Sequence, residues 1–467
     1  MIDEERALFK AVYDRFADRS TVTLMARIIH ERAFGSKAID ALFERESERQ
    51  YTREILFSSL VEVMMLVVLG EQPSVFAAWK KNKHVITTSV QALYDKLRNV
   101  EPKVASALVR SMAAQCAQLI DSMDARRPAL LPQFPLRILD GMHIEHTHRR
   151  LAKTRGSAAG PLPGFALAVY DVERDLISHA IFEQDGHAQE RSRLDDVLPC
   201  VSPGECWVAD RNFCTQAFVL ALLDHGAHVL IREHAQMPWI AEQPREPAGE
   251  TEGGKLFKQQ IRVGKNEAFE GKKLWRVTLE LNDPTRDGDR ELHIITDLLD
   301  HDVSAADVMR VYRARWSIER CFHTMATTLH AELNTLGAPG AAMFALAVGY
   351  CAYNVFSTLG AALRSAHGSE TIDQGLSKHA VVTELKAMAG GLGVLVPDEL
   401  WVSYRRKPFD ELGAELVTLA RRFSLDNGYR KAPTPKKPPN RTPRTRFKGK
   451  PHISTKRVLD GRERDDE

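Results

Sequence analysis

The sequence predicts an α/β protein of several domains, with a mixed sheet in the middle of the chain and helical regions on both sides. Between residues 134 and 231, short apolar runs of strand length alternate with turns and one apolar helical run. Before about residue 127, apolar residues recur at helical spacing instead. The length of 467 residues suits about three domains, and 44% hydrophobic residues suffice for a buried core.

Region 1–130 is predicted to be helical. Residues 54–70 are apolar almost all round a helix, which is typical of a buried helix. Residues 40–49 and 85–100 are amphipathic and are expected to pack against it. The region has no clear helix-turn-helix signature, so a structural bundle and a recognition domain both stay open.

Region 131–231 is predicted to begin the central sheet. The apolar run 134–139 is predicted to be a strand that ends on Asp140. Further strands are predicted at 165–171, 176–182, 206–209 and 228–231, with a turn at 172–175 and a helix at 215–225. Another helix is predicted to begin near Glu190, because the leucines after it are four residues apart. Asp210 follows the strand 206–209, so two aspartates stand at strand ends.

Region 232–293 is predicted to be a β-rich insertion. Its charged, glycine-punctuated runs at 257–263 and 275–281 alternate as strands do, and they predict a small sheet. Its tryptophans are Trp239 and Trp275.

Region 294–365 is predicted to complete the central domain with two helices. If residues 312–319 form one helix, Tyr312, Arg315 and Glu319 fall within an arc of about 60°. Alone, this stripe is also typical of an amphipathic helix with a surface Arg–Glu pair. Together with Asp140 and Asp210, it offers the three carboxylates and the cation that metal-assisted phosphoryl transfer uses.

The apolar run 341–363 is long enough for a membrane span. Tyr350, Tyr353 and Asn354 favour a core helix beneath the helix of Glu319 instead. Beyond it, region 366–425 is predicted to be helical. Region 426–467 is predicted to be a basic, proline-rich and disordered tail.

The order Asp140, then Asp210 in Ala-Asp-Arg-Asn-Phe, then Tyr-x-x-Arg-x-x-x-Glu at 312–319 closely resembles the insertion-sequence transposases with a DDE triad. The resemblance runs from about Leu136 to Phe356. It implies a ribonuclease-H-like core, and cleavage and strand transfer at the inverted ends of a mobile element. It also implies a homodimer at synapsis and an N-terminal region that recognises the DNA end.

The resemblance assigns roles to several of these residues. The two aspartates and Glu319 would be catalytic and hold divalent metal ions, while Tyr312 and Arg315 would hold the DNA backbone. In the hairpin-forming members an inserted tryptophan stacks on a flipped base, and Trp275 is the candidate here. A packed sheet residue is an equally good interpretation of Trp275, so a hairpin intermediate is implied by resemblance alone.

One position departs from the family pattern. The family places a lysine seven residues after the glutamate, and this chain has Ala326. Either His323 or Arg320 supplies the charge, or cleavage is impaired. A DNA-binding protein that does not cleave, and a metal-dependent nuclease without strand transfer, therefore stay as alternatives.

The chemistry of the triad favours Mg²⁺ or Mn²⁺. Three carboxylates in one pocket repel each other unless a cation neutralises them. Hard oxygen ligands suit these ions better than zinc. We expect two ions, with Asp140 bridging both and Asp210 and Glu319 each holding one.

Positive charge is concentrated in two places, although the net charge is only +2. The tail from residue 429 to 457 is basic and has no acidic residue. A second group follows the Asp140 strand and consists of Arg149, Arg150, Lys153 and Arg155. Both could contact DNA phosphates, and the second group is the stronger candidate because it lies near the proposed site.

Other sites are not expected. The histidine-rich stretch 143–148 alternates faces if it is a strand, which argues against zinc. The six cysteines show no CxxC spacing, and no signal peptide precedes the chain, so reduced thiols and a cytoplasmic, nucleoid-associated location are expected.

Overall fold

The helices of the computed structural model lie mainly at the two ends of the chain. The structure describes residues 2–50, 54–84, 86–157, 159–264, 270–285, 288–329, 333–395, 398–431 and 452–461. The helices are α1 Ile2–Arg19, α2 Thr21–Ala33, α3 Ser36–Glu46, α4 Phe57–Val68, α5 Val75–Lys81, α6 Val90–Arg98, α7 Pro102–Ser122, α8 Gln216–Asp224, α9 Ala305–Arg313, α10 Trp316–Thr327, α11 Pro339–His367, α12 Ser369–Gly375, α13 Lys378–Leu395, α14 Asp398–Arg406, α15 Phe409–Ala420 and α16 Thr455–Asp460.

Ten strands of the described chain form one mixed sheet. The strands of the chain are β1 Leu136–His143, β2 Gly160–Leu162, β3 Phe165–Asp171, β4 Leu176–Glu183, β5 Cys206–Ala209, β6 His228–Arg232, β7 Trp239–Ala241, β8 Glu246–Thr251, β9 Gly254–Val263, β10 Lys272–Leu281, β11 Glu291–Thr296 and β12 His452–Ser454. The order across the large sheet is β4-β3-β1-β5-β6-β11-β10-β9-β7, with β8 paired to β9.

Each strand predicted in the first half of the sheet is present, but the first one is displaced. We predicted a strand that ends on Asp140, whereas β1 continues to His143 because its antiparallel partner β3 extends the ladder. β1 pairs antiparallel with β3 and parallel with β5, and β5 pairs parallel with β6. Helix α8 connects β5 to β6, as the apolar run 215–225 predicted. The strands β3 and β5 are buried on both faces. Their sequences are therefore continuous apolar runs rather than alternating ones.

We predicted that the insertion forms a small sheet of its own. Its strands instead belong to the large sheet. β11 pairs antiparallel with β6 through Ile294↔Arg232, and β10 and β9 continue the same sheet beyond it. The predicted boundary at residue 293 consequently lies inside β11. The physical reason is that β6 would otherwise present an unpaired edge, which a neighbouring strand satisfies.

The stripe at 312–319 is not on one continuous helix. α9 ends at Arg313 and α10 begins at Trp316. Between them the backbone tightens, because the amides of Ala314 and Arg315 bond the carbonyls three residues earlier, at 2.9 and 3.1 Å. The hydroxyl of Ser317 also donates to the carbonyl of Ala314 at 2.6 Å and competes with the helical bond.

The helix predicted to begin near Glu190 is a 3₁₀ helix, Glu190–Asp196. It is followed at once by a second short 3₁₀ helix that contains Pro199. The element therefore starts where the leucine spacing placed it, but it is tighter than an α-helix.

The two helical regions pack together, although they are far apart in sequence. The hydroxyl of Tyr13 donates to Glu415 at 2.6 Å, and Arg405 binds Glu31 at 2.9 Å. Helix α4 corresponds to the buried helix predicted at 54–70, and α3 and α6 to its predicted partners. Regions 1–130 and 366–425 thus share one helical layer.

Helix α11 passes through this layer. In the described chain it is the helix long and apolar enough to cross a membrane, and 94% of its most apolar window is buried inside the protein. It packs against α2, α4, α7 and α15. This placement agrees with the predicted core helix.

Part of the predicted disordered tail is folded. β12 pairs in parallel with β2, with His452 opposite Gly160, and α16 follows. Asp185 accepts the hydroxyl of Ser454 at 2.6 Å and the guanidinium of Arg457 at 2.7 Å. The basic residues at 432–451 lie outside the described part of the chain.

Candidate active site

Asp140 and Asp210 lie side by side at one end of the central strands. β1 and β5 are parallel neighbours, and Leu139 is opposite Ala209 in their register. The residues that follow this pair are the two aspartates. Since neighbouring strands are about 4.8 Å apart, the register alone brings the two carboxylates into one site.

The carboxylate of Asp210 also shapes the chain after β5. It accepts the amide of Asn212 at 2.8 Å and caps the short 3₁₀ helix Arg211–Phe213. This cap is the ordinary role of an aspartate after a strand. It leaves the second oxygen of the carboxylate for other partners.

Glu319 reaches the same site from helix α10. The guanidinium of Arg315 connects Glu319 to Asp140. Its Nη2 lies 2.7 Å from Glu319 Oε1, and its Nη1 lies 3.1 Å from Asp140 Oδ2. The three carboxylates predicted from the sequence are therefore neighbours, and Arg315 lies between two of them.

The site disfavours the negative charge of Asp140. The pKa of the Asp140 carboxyl is raised to about 7, chiefly by burial. Arg315 opposes this rise, and the charges of Asp210 and Glu319 add to it. A cation at this point would relieve the repulsion.

Tyr312 and Arg315 point into the protein. Tyr312 is 8% exposed, and burial raises the pKa of its phenol. The side chain of Arg315 is 12% exposed, and its Nε is buried without a hydrogen-bond partner. Both residues belong to the site, but the two terminal nitrogens of Arg315 are already paired with the carboxylates of Asp140 and Glu319.

A fourth carboxylate, Glu190, lies in the site and was not predicted as a functional residue. Its Oε2 accepts the side-chain amide of Asn212, two residues after Asp210. Its Oε1 lies against Gly141, where an added Cβ would come within 1.8 Å of it. Burial raises the pKa of Glu190, and the charge of Asp210 adds to the rise. The sequence signal that could have found it is Gly141, which leaves room for a side chain beside Asp140.

The basic group after β1 is exposed. Arg149, Arg150, Lys153 and Arg155 all lie at the surface of the segment that joins β1 to β2. Lys153 donates to the carbonyl of Leu459 at 2.7 Å, so the folded tail segment lies against this group. These four cations are therefore exposed on the segment that follows β1.

Trp275 lies away from the carboxylates. It is opposite Thr296 on β11, which in turn is opposite Leu230 on β6, so three strand spacings separate it from β5. Its indole donates to Asp300 at 2.7 Å. The alternative, Trp239, is on β7 at the edge of the sheet and donates to Glu233 at 2.7 Å. The structure brings neither indole to the triad.

His323 and Arg320 are both exposed, and helical geometry places them about 60° apart around α10. His323 is one turn after Glu319 and is exposed, so it shares the helical stripe of Glu319. Ala326 continues that stripe and is half-buried. Arg320 instead lines a cavity behind the helix. Of the two candidates for the missing lysine charge, His323 has the suitable position.

Among the described residues, one group brings three possible metal ligand atoms within 4.8 Å of one another, and it is His228, Asp297 and His301. These residues are at the end of the sheet opposite Asp210. The stretch 143–148 forms no such group. The triad is wider than this limit, which is consistent with a guanidinium between Asp140 and Glu319.

Comparisons with known proteins found a similar solved structure and a family model. The chain is similar in structure to the piggyBac transposase in the cryo-EM structure of its synaptic complex with hairpin DNA. The TM-score is 0.41 at 10% sequence identity, over 84% of this chain and 82% of that chain. No curated protein sequence matches the chain.

The family comparison concerns the site directly. Residues 132–355 match the family model described as a transposase DDE domain. This span contains Asp140, Asp210 and Glu319. The protein therefore contains a transposase DDE domain.

Proposed function

We propose that the protein cuts DNA at the inverted ends of its own insertion sequence and joins the freed 3′ ends to a target. Asp140, Asp210 and Glu319 would hold two divalent ions, Mg²⁺ or Mn²⁺. The observation that carries this proposal is the convergence of Asp140, Asp210 and Glu319 in one site, where Arg315 lies 3.1 Å from Asp140 and 2.7 Å from Glu319. The match of residues 132–355 to the transposase DDE domain supports it.

We also infer a ribonuclease-H-like core. The sheet order β4-β3-β1-β5-β6, with an antiparallel first half, parallel pairing of β1, β5 and β6, and a helix between the last two, supports this inference. In such a sheet the ends of the central strands collect the functional groups. Asp210 follows the end of β5, and Asp140 lies beside it within β1.

The donor atoms fit the proposed ions. All three side chains offer hard carboxylate oxygens, which Mg²⁺ and Mn²⁺ prefer. The raised pKa of Asp140 reflects a site where negative charge is under-compensated, and a divalent cation would correct this. When bound, the ions would activate the attacking oxygen and stabilise the leaving oxygen of an in-line displacement.

Arg315 would change partners during the reaction. Its guanidinium neutralises Asp140 and Glu319 in the structure, and an ion held by the same carboxylates would replace it there. The freed guanidinium could then bind a DNA phosphate through two parallel hydrogen bonds. Tyr312 packs beside Arg315 and would limit where the guanidinium can go.

The DNA would approach from the exposed side of the segment after β1. Arg149, Arg150, Lys153 and Arg155 would contact its phosphates without reading sequence. Two ends must be cut together, so we propose a homodimer at synapsis. The second DNA strand could be cut through a hairpin or by a second nick. A denaturing gel of the cleavage products distinguishes these two routes.

The test is cleavage of a duplex that carries the flanking genomic ends. Purified protein is incubated with Mg²⁺, Mn²⁺ or EDTA, and products are resolved on a denaturing gel. We expect metal-dependent cuts at the end, lost in Glu319→Gln and retained in Glu411→Gln, a control at an exposed glutamate of α15. Hairpin products migrate differently from nicked ones.

Two results would redirect the proposal. Specific binding without cleavage in either metal would favour the non-cleaving DNA-binding alternative, and Ala326→Lys would then be expected to restore cutting. Cleavage without joining to a target plasmid would favour a nuclease without strand transfer.

A further inference from the structure

A polar cavity lies behind α10, on the side away from Glu319. Its volume is about 420 Å³, and it is bounded by α10, α11, the start of α13 and the turn between β3 and β4. Ser317 and Arg320 of α10 line it. A ligand in this cavity would therefore contact the helix that carries the catalytic glutamate.

The lining has an excess of positive charge. Its cationic side chains are Arg127, Arg320, Arg364, Lys378 and Lys431. Its acidic side chains are Asp175 and Asp373. The cations exceed the acids by three.

The acids do not satisfy these cations. Asp175 is fully engaged, because it accepts the hydroxyls of Tyr170 and Tyr353 and binds Arg127 at 2.7 Å. Asp373 is exposed and lies 3.5 Å from Arg364 and 3.7 Å from Arg127. One half-solvated carboxylate thus serves two guanidinium groups.

Several donors at the cavity are buried without a partner. Arg364 is 6% exposed, yet its Nε and Nη2 make no hydrogen bond. Arg127 Nε and the hydroxyl of Ser357 are in the same condition. Buried polar groups are normally paired, so unpaired donors beside an excess of positive charge indicate a missing acceptor. Burial, followed by the charge of Arg127, lowers the pKa of Arg364, as expected for an under-compensated guanidinium.

We propose that this cavity binds a phosphate-type oxyanion. Guanidinium groups match phosphate oxygens through paired hydrogen bonds, and lysines add point charges at the entrance. The volume accepts a group of pyrophosphate size between the buried Arg364 and the more exposed Lys378, Arg320 and Lys431. The phosphate could come from a free anion or from a DNA backbone.

In the primary test, the full-length protein is titrated with pyrophosphate in metal-free buffer at fixed ionic strength. Calorimetry measures the heat of binding. We expect one site per chain, with the dissociation constant increased at least tenfold in Lys378→Ala and in Arg320→Ala. Both side chains are at the entrance of the cavity, so these variants should fold. Lys386→Ala, on the same helix α13 but outside the lining, should bind like the unmodified protein.

A competition arm distinguishes the sources of the phosphate. If a duplex carrying the element's ends displaces pyrophosphate, the ligand is a DNA backbone phosphate. If duplex and pyrophosphate bind together, the ligand is a free anion. The proposal is overturned if neither pyrophosphate nor duplex affinity responds to Lys378→Ala and Arg320→Ala, or if Lys386→Ala has the same effect.

Discussion

At the scale of single residues, Arg315 links the electrostatics of the site to its proposed chemistry. It binds two of the three carboxylates, and its side chain is 12% exposed, so the pairing is sheltered from solvent. A cation supplied by the protein thus occupies the place where a metal cation is expected. Ion binding and DNA binding should therefore be coupled through this one side chain.

Replacing Arg315 by Gln should separate these two roles. Without the competing guanidinium the carboxylates should bind Mn²⁺ more tightly, by about tenfold for each 1.4 kcal/mol of competition removed. Cleavage should fall, because the phosphate contact is lost. Electron paramagnetic resonance of free Mn²⁺ measures the first effect without DNA.

Arg310→Gln is the matched control, since Arg310 is an exposed arginine of α9 paired with Asp307. Weaker Mn²⁺ binding in Arg315→Gln than in this control would contradict the competition that we describe.

Glu190 should matter for cleavage although the DDE pattern does not include it. Glu190→Gln keeps the size of the side chain and its contact with Asn212 but removes the charge. We expect cleavage to decrease by about 10–100-fold, the usual effect of losing a group that supports metal ligands. Asp195→Asn, an exposed acid on the same 3₁₀ helix, serves as the control.

Gly141→Ala tests the same contact from the other side. The added methyl group would meet the carboxylate of Glu190, which can move because it is the end of a flexible side chain. Activity should fall with little change in unfolding temperature. Normal cleavage in both Glu190→Gln and Gly141→Ala would show that Glu190 only fills space.

At the scale of elements, the strands and helices differ in how far the sequence predicts them. Apolar residues precede Asp140 in β1, and the apolar strand β5 ends directly before Asp210. This local pattern sufficed to bring the two aspartates together, although β1 continues past Asp140 to His143. The break between α9 and α10 depends on a hydroxyl, Ser317, that bonds a backbone carbonyl. Hydrophobic periodicity carries no signal for such a bond.

Two further contacts could not be predicted from the sequence. They are the pairing of β11 with β6 and the approach of Glu190 to Gly141. Each joins residues about 50 or more positions apart, and a single sequence records spacing along the chain rather than contact across it. Trp275 illustrates the same limit, because its distance from the triad follows only from strand order. Asp140, Asp210 and Glu319 could be predicted as a group because they carry a family pattern as well as a local one.

The strand β12 should protect the segment that carries the basic group. Ending the chain after Lys431 would remove β12 and α16, and β2 would lose its partner. We expect amide hydrogen exchange in residues 144–162 to become faster, while the amides of β3 stay protected by β1 and β4. Mass spectrometry of the deuterated peptides measures both.

Arg457→Gln is a milder variant that removes one bond to Asp185. It should speed exchange in the same segment by less than the truncation does. Unchanged exchange in both proteins would mean that the segment is held by other contacts.

At the scale of the whole molecule, the helical layer and the sheet meet along α7, which packs on β4 and α11. His179 of β4 lies in this junction. Burial, and then the charges of Arg110 and Arg137, lower the pKa of His179 to about 4. The folded protein therefore keeps this imidazole neutral at a pH where the unfolded chain protonates it.

This difference should make the junction sensitive to acid. Because the folded pKa is depressed, the contribution to stability is complete above about pH 6.5 and is lost as pH falls toward 4. The slope approaches about 1.4 kcal/mol per pH unit. His179→Gln should lose less stability than the unmodified protein between pH 6.5 and 5, as measured by urea denaturation. Equal pH dependence in the two proteins would contradict the assignment.

The pairing of β12 with β2 also has a consequence for the order in which the protein is made. Roughly 290 residues separate the two strands, and at about 5–20 residues per second a ribosome needs about 15–60 s to translate them. Asp140 is already present when that interval begins, and Asp210 and Glu319 are added during it. The neighbouring basic segment stays without its pairing strand until the interval ends. A newly translated molecule therefore completes the pairing of this basic segment only after Asp140, Asp210 and Glu319 have been made.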